Sequence, residues 1–442
     1  MKRLLGEAGF FAYLDALNQP YTRALRVNLL LRPDGTPPCP IDGLGAPVPW
    51  AKGAYFVEGD ARPGLSPLHE GGLFYMQEPS ALTAVTALDP QPGERVLDLC
   101  AAPGGKSTQI AALMAGRGLL CCNEPIPSRA QILSRNIERM GVRNAVVLSA
   151  MPDALAPRFP AFFDRILVDA PCSGEGMFRR QPEARDEWDA DAPRRCADRQ
   201  MEILAQAAKM LRPGGTMVYS TCTFNDTENE GVLKRFLALH PEFSLVPFAL
   251  PGLPEAKDGY LHLYPHEMRG EGHFVSRLKK ADGADGADAP VQAAPQRKAP
   301  ARAAAKGKAP APIALPDVFS DAFAPERLYT AGDALWMLPE GISIEQLSGL
   351  RVLRTGLLLA HAEGKRSEPD HALAMALRPE EAARTASLTQ TQALAYQAGE
   401  TLSLGDLPGG YTLLCCEGVS LGWGKQAGGL MKNHYPKGLR RR

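Results

Sequence analysis

Between residues 89 and 278, short apolar runs alternate with helix-patterned segments, and this alternation constrains the fold more than any other feature of the chain. ERVLDLC, GLLCCNE, NAVVLS, DRILVDA and GTMVYST are brief and rich in Val, Ile and Leu, as buried strands are. SRAQILSRNIERMG, lying between two of them, predicts a helix. In that helix Ser128 caps the start, Ile132, Leu133, Ile137 and Met140 share a face, and Gly141 closes the end. CADRQMEILAQAAKMLRPGG predicts another, stopping at Pro213-Gly214-Gly215. Strands alternating with helices imply an α/β fold with a mostly parallel sheet covered on both faces.

The 442 residues correspond to about three units at ~150 residues per domain. Lys279 to Pro316 is dominated by Ala, Pro, Gly and charges, with almost no large apolar side chain. Such a stretch cannot bury enough surface to offset its ordering entropy, so a flexible linker is expected at 279–316. It separates residues 1–278 from a C-terminal part, 317–442, and the first 88 residues are mixed and poorly specified by pattern. The N-terminal MKRLLGEAGFFAYLDALNQP reads as an amphipathic helix, because Glu7 and Asp15 interrupt its apolar segment. The longest apolar runs, Gly118 to Cys122 and Gly356 to Ala360, fall far short of the ~18 residues of a membrane span. A cytoplasmic protein without a membrane partner is expected.

Lys plus Arg equals Asp plus Glu, at 49 each, so net charge alone does not announce a nucleic-acid partner. Distribution says more: Lys425 to Arg442 holds six Lys/Arg and no acid, a candidate phosphate contact. The nine cysteines form no C-x-x-C pair, and their number is odd. Neither a disulfide framework nor a zinc site is expected, and most of these cysteines should be small buried hydrophobes.

Cys100-Ala101-Ala102-Pro103-Gly104-Gly105-Lys106 follows the first strong strand and opens a helix. Small residues there let the backbone approach a ligand, and the helix start offers free amide hydrogens. A phosphate-binding P-loop would need a glycine where Cys100 stands. A methyl-donor site would need an acid at the end of the next strand for ribose hydroxyls, and Glu124 is there. The G-x-G-x-x-G fingerprint is absent. The pattern favours S-adenosylmethionine over ATP, and a tight turn without ligand is the plainest alternative.

Asp169-Ala-Pro-Cys172 follows one strand run and Thr221-Cys222 another. Residues just past the C-terminal ends of parallel strands line the ligand crevice, so both thiols should enter one pocket. Cytosine carbon 5 is a poor nucleophile until a thiolate adds to carbon 6. The ring then becomes enamine-like, and carbon 5 can attack a methyl sulfonium. Asp169, Cys172 and Cys222 supply an acid and two thiols for this scheme, and spacing does not say which thiol attacks.

FYMQEPSAL, VLDLCAAPGGKSTQIA, RILVDAPCSGEGMFR, LRPGGTMVYSTCTFNDTENE and LYPHEMRGEGHFVSRL, in this order from Phe74 to Leu278, resemble the Nol/Nop/Sun family of RNA cytosine-5 methyltransferases. Within it the chain is similar to the bacterial RsmF-like group. GWGK at Gly422 to Lys425 and KNHYPKGLR at Lys432 to Arg440 resemble the family's PUA-like module. The resemblance implies a Rossmann-like class I methyltransferase domain over 89–278. It also implies an N-terminal α/β RNA-binding region over 1–88 and a β-rich PUA-like RNA-binding module over about 385–442. It implies Cys222 as the nucleophile and Cys172 as the thiol assisting release from the covalent adduct. Cys100 to Lys106 correspond to the donor loop, Glu124 to the ribose acid, Arg129 to a donor contact, and Asp169 to the acid near donor and base. The substrate implied is RNA, small-subunit rRNA before tRNA, with no metal, and nothing demands more than a monomer. One departure stands out: Met151 falls where relatives carry an acid for the donor adenine, and Asp153 is offset, which leaves that contact open.

His266-Glu267 lacks the second histidine of a zinc-protease motif, so no metal is expected there. Trp423 and Tyr435 either stack on RNA bases or pack inside a small β-rich module. Two other functions compete with catalysis. One is an RNA-binding assembly factor that kept the fold without the chemistry, against which the Asp169, Cys172 and Cys222 set speaks. The other is a P-loop NTPase acting on RNA, against which Cys100 speaks.

Overall fold

The computed structural model describes residues 1–283, 313–364 and 366–441. Most of the linker expected at 279–316 lies outside the described residues. The apolar runs all form strands. Leu211–Thr221, Phe163–Asp169, Arg95–Asp98, Leu119–Asn123 and Ala145–Leu148 lie side by side in that order and are parallel. His273–Lys280 adds antiparallel beyond Leu211–Thr221, followed by Phe243–Leu245. Alternate residues of each strand feed different cores. Leu97, Cys121, Val146 and Ile166 pack with the helix Ala192–Met210. Val96, Leu120, Cys122, Val147 and Leu167 pack with the helices Leu82–Leu88, Gly105–Leu113 and Pro127–Arg139. Helices therefore cover both faces of a parallel-rich sheet, as the alternation requires.

Chain order reverses at Arg95–Asp98. The next two strands extend to one side of it, and Phe163–Asp169 returns to the other. Crossovers diverge at this point and leave a crevice beyond the strand ends. Cys100, Glu124, Cys172 and Cys222 all follow strands that end there.

Several local expectations need correction. Pro127 begins its helix, with Ile126 before it in extended conformation, so Ser128 lies inside the first turn and caps nothing. Proline suits that first position because it has no amide hydrogen to satisfy. Leu133, Ile137 and Met140 are buried, but Ile132 is 48% exposed and does not share their face. Gly141 closes the helix with φ +65°. The helix from Ala192 ends at Met210, not at Pro213, and Leu211 to Thr221 forms one long strand.

Residues 23–77 form a four-stranded antiparallel sheet, with Arg23–Val27 between Ala54–Val57 and Phe74–Gln77. Its Arg26 is fully buried and donates to Gln77, to Thr108 and to the Gly105 carbonyl, which ties this sheet to the Gly105–Leu113 helix. Beyond the linker, an antiparallel sheet of Leu328–Ala331, Ala334–Met337, Leu357–Glu363 and Arg366–Pro369 precedes a second, mixed sheet. That second sheet comprises Thr385–Ser387, Gly410–Cys416, Val419–Ala427 and Leu430–Asn433. A short strand from this half, Val352–Arg354, crosses to pair antiparallel with Ala145–Leu148 at the edge of the central sheet. Arg354 is buried there and bonds to Glu138. Trp423 and Tyr435 are 2% and 3% exposed, with the Trp423 indole donating to the Asp370 carbonyl over 2.8 Å. Both are packing residues of the β-rich module, too buried to stack on RNA bases. Among the described residues, no helix is long and apolar enough to cross a membrane.

Candidate active site

The donor-type loop leaves the strand Arg95–Asp98 and enters the helix Gly105–Leu113 through Gly104, whose φ of +111° suits glycine alone. A Cβ at Gly105 would sit 3.3 Å from the Tyr75 ring, so small residues keep this helix start close to its neighbours. Glu124, 2% exposed, ends the adjacent strand path. Its Oε1 accepts from the Ile126 amide at 3.0 Å, and its Oε2 lies 3.3 Å from Arg129. Arg129 also donates to the Ala102 carbonyl at 3.3 Å, so this arginine spans the acid and the loop.

Asp98 lies beneath the loop, fully buried. It accepts from the Ser107 hydroxyl at 2.6 Å, and its Oδ1 has no partner. Burial pushes its carboxyl up to about 7, against the Ser107 hydrogen bond and with help from the Asp169 charge. Met151 is 61% exposed at the start of a short helix, and Asp153 is exposed in its first turn, so neither is drawn into a buried contact.

Asp169, Lys106, Cys172 and Cys222 converge. Lys106 Nζ donates to Asp169 Oδ2 at 2.8 Å, and Ser220 Oγ donates to Asp169 Oδ1 at 2.8 Å. His273 Nε2 stands 3.4 Å from the same Oδ1. Burial alone would raise the Asp169 carboxyl, but the Lys106 charge and the His273 contact outweigh it and hold Asp169 well below the usual carboxylate range. Burial likewise opposes the Lys106 charge, yet Asp169, and behind it Cys222, keep the ammonium above its ordinary value.

The two sulfur atoms are 3.1 Å apart. The hydrogen bond to Cys222, burial and the nearby charge of Glu228 all push the Cys172 thiol well above its usual range. The contact brings the two thiols side by side, and either sulfur can be its donor. Both remain free thiols, as do the buried strand residues Cys121, Cys122, Cys415 and Cys416. Cys100 sits in the loop with its thiol raised to beyond its ordinary range by burial and by Asp98.

Ser220, His273, Glu175 and Glu228 were not singled out in the sequence. The sheet register exposes the first two: Ser220 pairs with Asp169, and Phe274 pairs with Thr221, which sets His273 across from Cys222. The N-terminal helix reaches the site as well, its Tyr13 packing edge-on to Phe224 at 5.8 Å.

Residues 85–279 match the sequence family described as 16S rRNA methyltransferase RsmB/F. A protein named Ribosomal RNA small subunit methyltransferase F from Erwinia tasmaniensis is 33% identical, over 99% of this chain and 95% of that one. The chain belongs to the RsmF family. Three further RsmF matches follow its architecture: an N-terminal domain at 1–79, a first C-terminal domain at 316–377 and a PUA domain at 383–441. An Escherichia coli protein named as an RsmF methyltransferase is 34% identical over 97% of this chain and 92% of its own. Among solved structures, a methyltransferase homolog from Pyrococcus horikoshii is 29% identical, with TM-score 0.52, covering 63% of this chain and 97% of that one. NSun6 from the same organism, 23% identical with TM-score 0.54, shares the fold. RsmF membership thus rests on nearly the whole length and on both ends as well as the Rossmann-like centre.

Proposed function

We propose that this RsmF-family chain transfers a methyl group from S-adenosylmethionine to carbon 5 of a cytosine in small-subunit rRNA, through a covalent adduct on Cys222. The observation that carries the reading is the 3.1 Å approach of Cys172 and Cys222 beside the Lys106–Asp169 pair. The residues around the crevice fit the donor: a glycine-rich helix start, the buried Glu124 for ribose hydroxyls, Arg129, and the unpartnered Asp98 Oδ1 beneath the loop. When bound, S-adenosylmethionine supplies the electrophilic methyl.

The protein's own steps follow from the closeness of the two thiols. Cys222, as thiolate, forms a bond to carbon 6, and the carbon 5–carbon 6 electron pair becomes available at carbon 5 for the methyl. Asp169, held anionic by Lys106, accepts a hydrogen bond from the amino edge of the ring as charge develops. After methylation a base removes the carbon 5 proton, the double bond re-forms, and the sulfur–carbon 6 bond breaks. Cys222 leaves as thiolate, and the Cys172 thiol stabilises it by donating a hydrogen bond. The target base must leave its stack, which looped RNA makes easier. Residues 1–88 and the module from about 385 hold the RNA, and the enzyme acts as a cytoplasmic monomer without a metal.

The test is methyl transfer from labelled donor to small-subunit rRNA. Cys222→Ala is expected to abolish transfer while leaving donor binding intact, and Cys172→Ala to accumulate an RNA adduct on denaturing gels. Full activity of Cys222→Ala would remove it as nucleophile, and bisulfite mapping of the product checks that carbon 5 is the acceptor.

A further inference from the structure

The loops that carry the two thiols are joined by a reciprocal pair of carboxylates. Glu228, fully buried on the Cys222 side, reaches across to the Cys172 loop. There it accepts from the Ser173 amide at 3.0 Å and from the Ser173 hydroxyl. Gln200 and Asn225 each donate to it at 2.8 Å. Glu175, on the Cys172 side, reaches back and accepts from the amides of Phe224 at 2.9 Å and Asn225 at 3.1 Å. The Gly176 amide then donates to the Cys222 carbonyl at 2.8 Å. Nothing larger than glycine fits at that point, since a Cβ at Gly176 would lie 2.9 Å from the same carbonyl oxygen.

Loops beyond strand ends have no ladder to hold them, so their amides need other acceptors. A carboxylate offers only acceptor sites and can take several donors at once. A glutamine in its place turns one oxygen into a donor, which would face an amide hydrogen. Glu228 also rests on the rest of the core: its carbonyl accepts from the Tyr219 hydroxyl, which bonds Gln200 as well. The clamp is thus anchored in the sheet beneath the site.

We infer that Glu228 and Glu175 are positioning residues that set the separation of Cys172 from Cys222 and so control release of the methylated base from the covalent adduct. This rests on the reading of Cys172 as the thiol that assists release. The departing Cys222 sulfur takes the electron pair of the sulfur–carbon bond, and a hydrogen bond from Cys172 stabilises it only while the loops hold the two sulfurs in register. A displacement of about 1 Å at a reacting centre costs on the order of 100-fold in rate.

The experiment compares the full-length wild type with Glu228→Gln, Glu175→Gln, Ser173→Ala and Cys172→Ala, using labelled methyl donor and small-subunit rRNA. Denaturing gels read the adduct, steady-state assays read turnover, and calorimetry reads donor binding. Glu228→Gln and Glu175→Gln are expected to raise the trapped adduct several-fold and to lower turnover about tenfold or more, with donor affinity unchanged. Ser173→Ala, which deletes a single hydroxyl donor, is expected to fall between them and the wild type, and it carries the test if a glutamine variant fails to fold. A merely structural role would lower activity and donor binding together and trap no adduct, which would overturn the inference. So would wild-type adduct and turnover in both glutamine variants while Cys172→Ala traps adduct. Absence of adduct in Cys172→Ala would instead overturn the release reading itself, and the clamp with it.

Discussion

Lys106 and Asp169 form a 2.8 Å ion pair that spans the crevice from the start of the Gly105–Leu113 helix to the strand end beside the two thiols. Their side chains are 13% and 27% exposed, so water screens the pair only partly. The lysine stands in the first turn of the Gly105–Leu113 helix, and the aspartate on the strand that leads to Cys172. One contact therefore couples the two halves of the site.

Lys106→Met is expected to lower the methyl-transfer turnover by about 100-fold, in line with the loss of a preorganised charge at a reacting centre. The Asp169 carboxylate keeps Ser220 and the His273 contact, so the fold survives. Steady-state kinetics with a parallel unfolding curve check this. Turnover within twofold of wild type, with the fold intact, would show that the pair is architectural only.

Asp98 gives a pH prediction. Its folded carboxyl titrates at about 7, against about 3.9 in the unfolded chain. Between these values the native state holds a proton that the unfolded state has lost, so stability falls as pH rises from about 4 to about 7 and levels off above. Within that window the slope is up to about 1.4 kcal/mol per pH unit. Asp98→Asn keeps the acceptor for Ser107 and removes the titration. Its advantage over wild type should therefore grow between pH 5 and 7 and stay constant at pH 8. Denaturant unfolding across this range is the measurement, and a flat difference would mean an ordinary carboxyl at Asp98.

Arg354 and Glu138 test the junction between the two halves of the chain. Burial pushes the Glu138 carboxyl up, against the pull of Arg354. Arg354→Ala leaves that carboxylate without its partner and is expected to cost about 2–3 kcal/mol, below the 3–5 of a fully buried pair. Replacing both, as Glu138→Leu with Arg354→Met, should recover most of the loss. A double-mutant cycle by chemical unfolding reads it, and additive losses would show that the two residues do not act as a pair.

The central sheet was legible because each strand carries its own signal: a short run of Val, Ile and Leu bounded by Gly, Pro or Asp. The thiols were legible for the same reason, since they follow those runs directly. Arg26 hid the N-terminal sheet, because a fully buried guanidinium in a strand breaks the apolar pattern, and its partners Gln77 and Thr108 lie far off in sequence. Val352–Arg354 was hidden too, being three residues whose only partner strand lies some two hundred positions earlier. Glu175 and Glu228 were invisible on similar grounds: an acid in a loop looks solvated until the opposite loop supplies its amides. Ser128 misled because the preceding proline, equally suited to a helix start, took the position.

The strand at Val352–Arg354 also bears on how the molecule is made. A ribosome completes Ala145–Leu148 long before it reaches Val352, so the nascent sheet waits with one flank unzipped for about 10–40 s at ordinary elongation rates. Throughout that interval the newborn catalytic half offers bare amides and carbonyls to any passing β-segment. The late arrival of its own distant residues is what closes that flank.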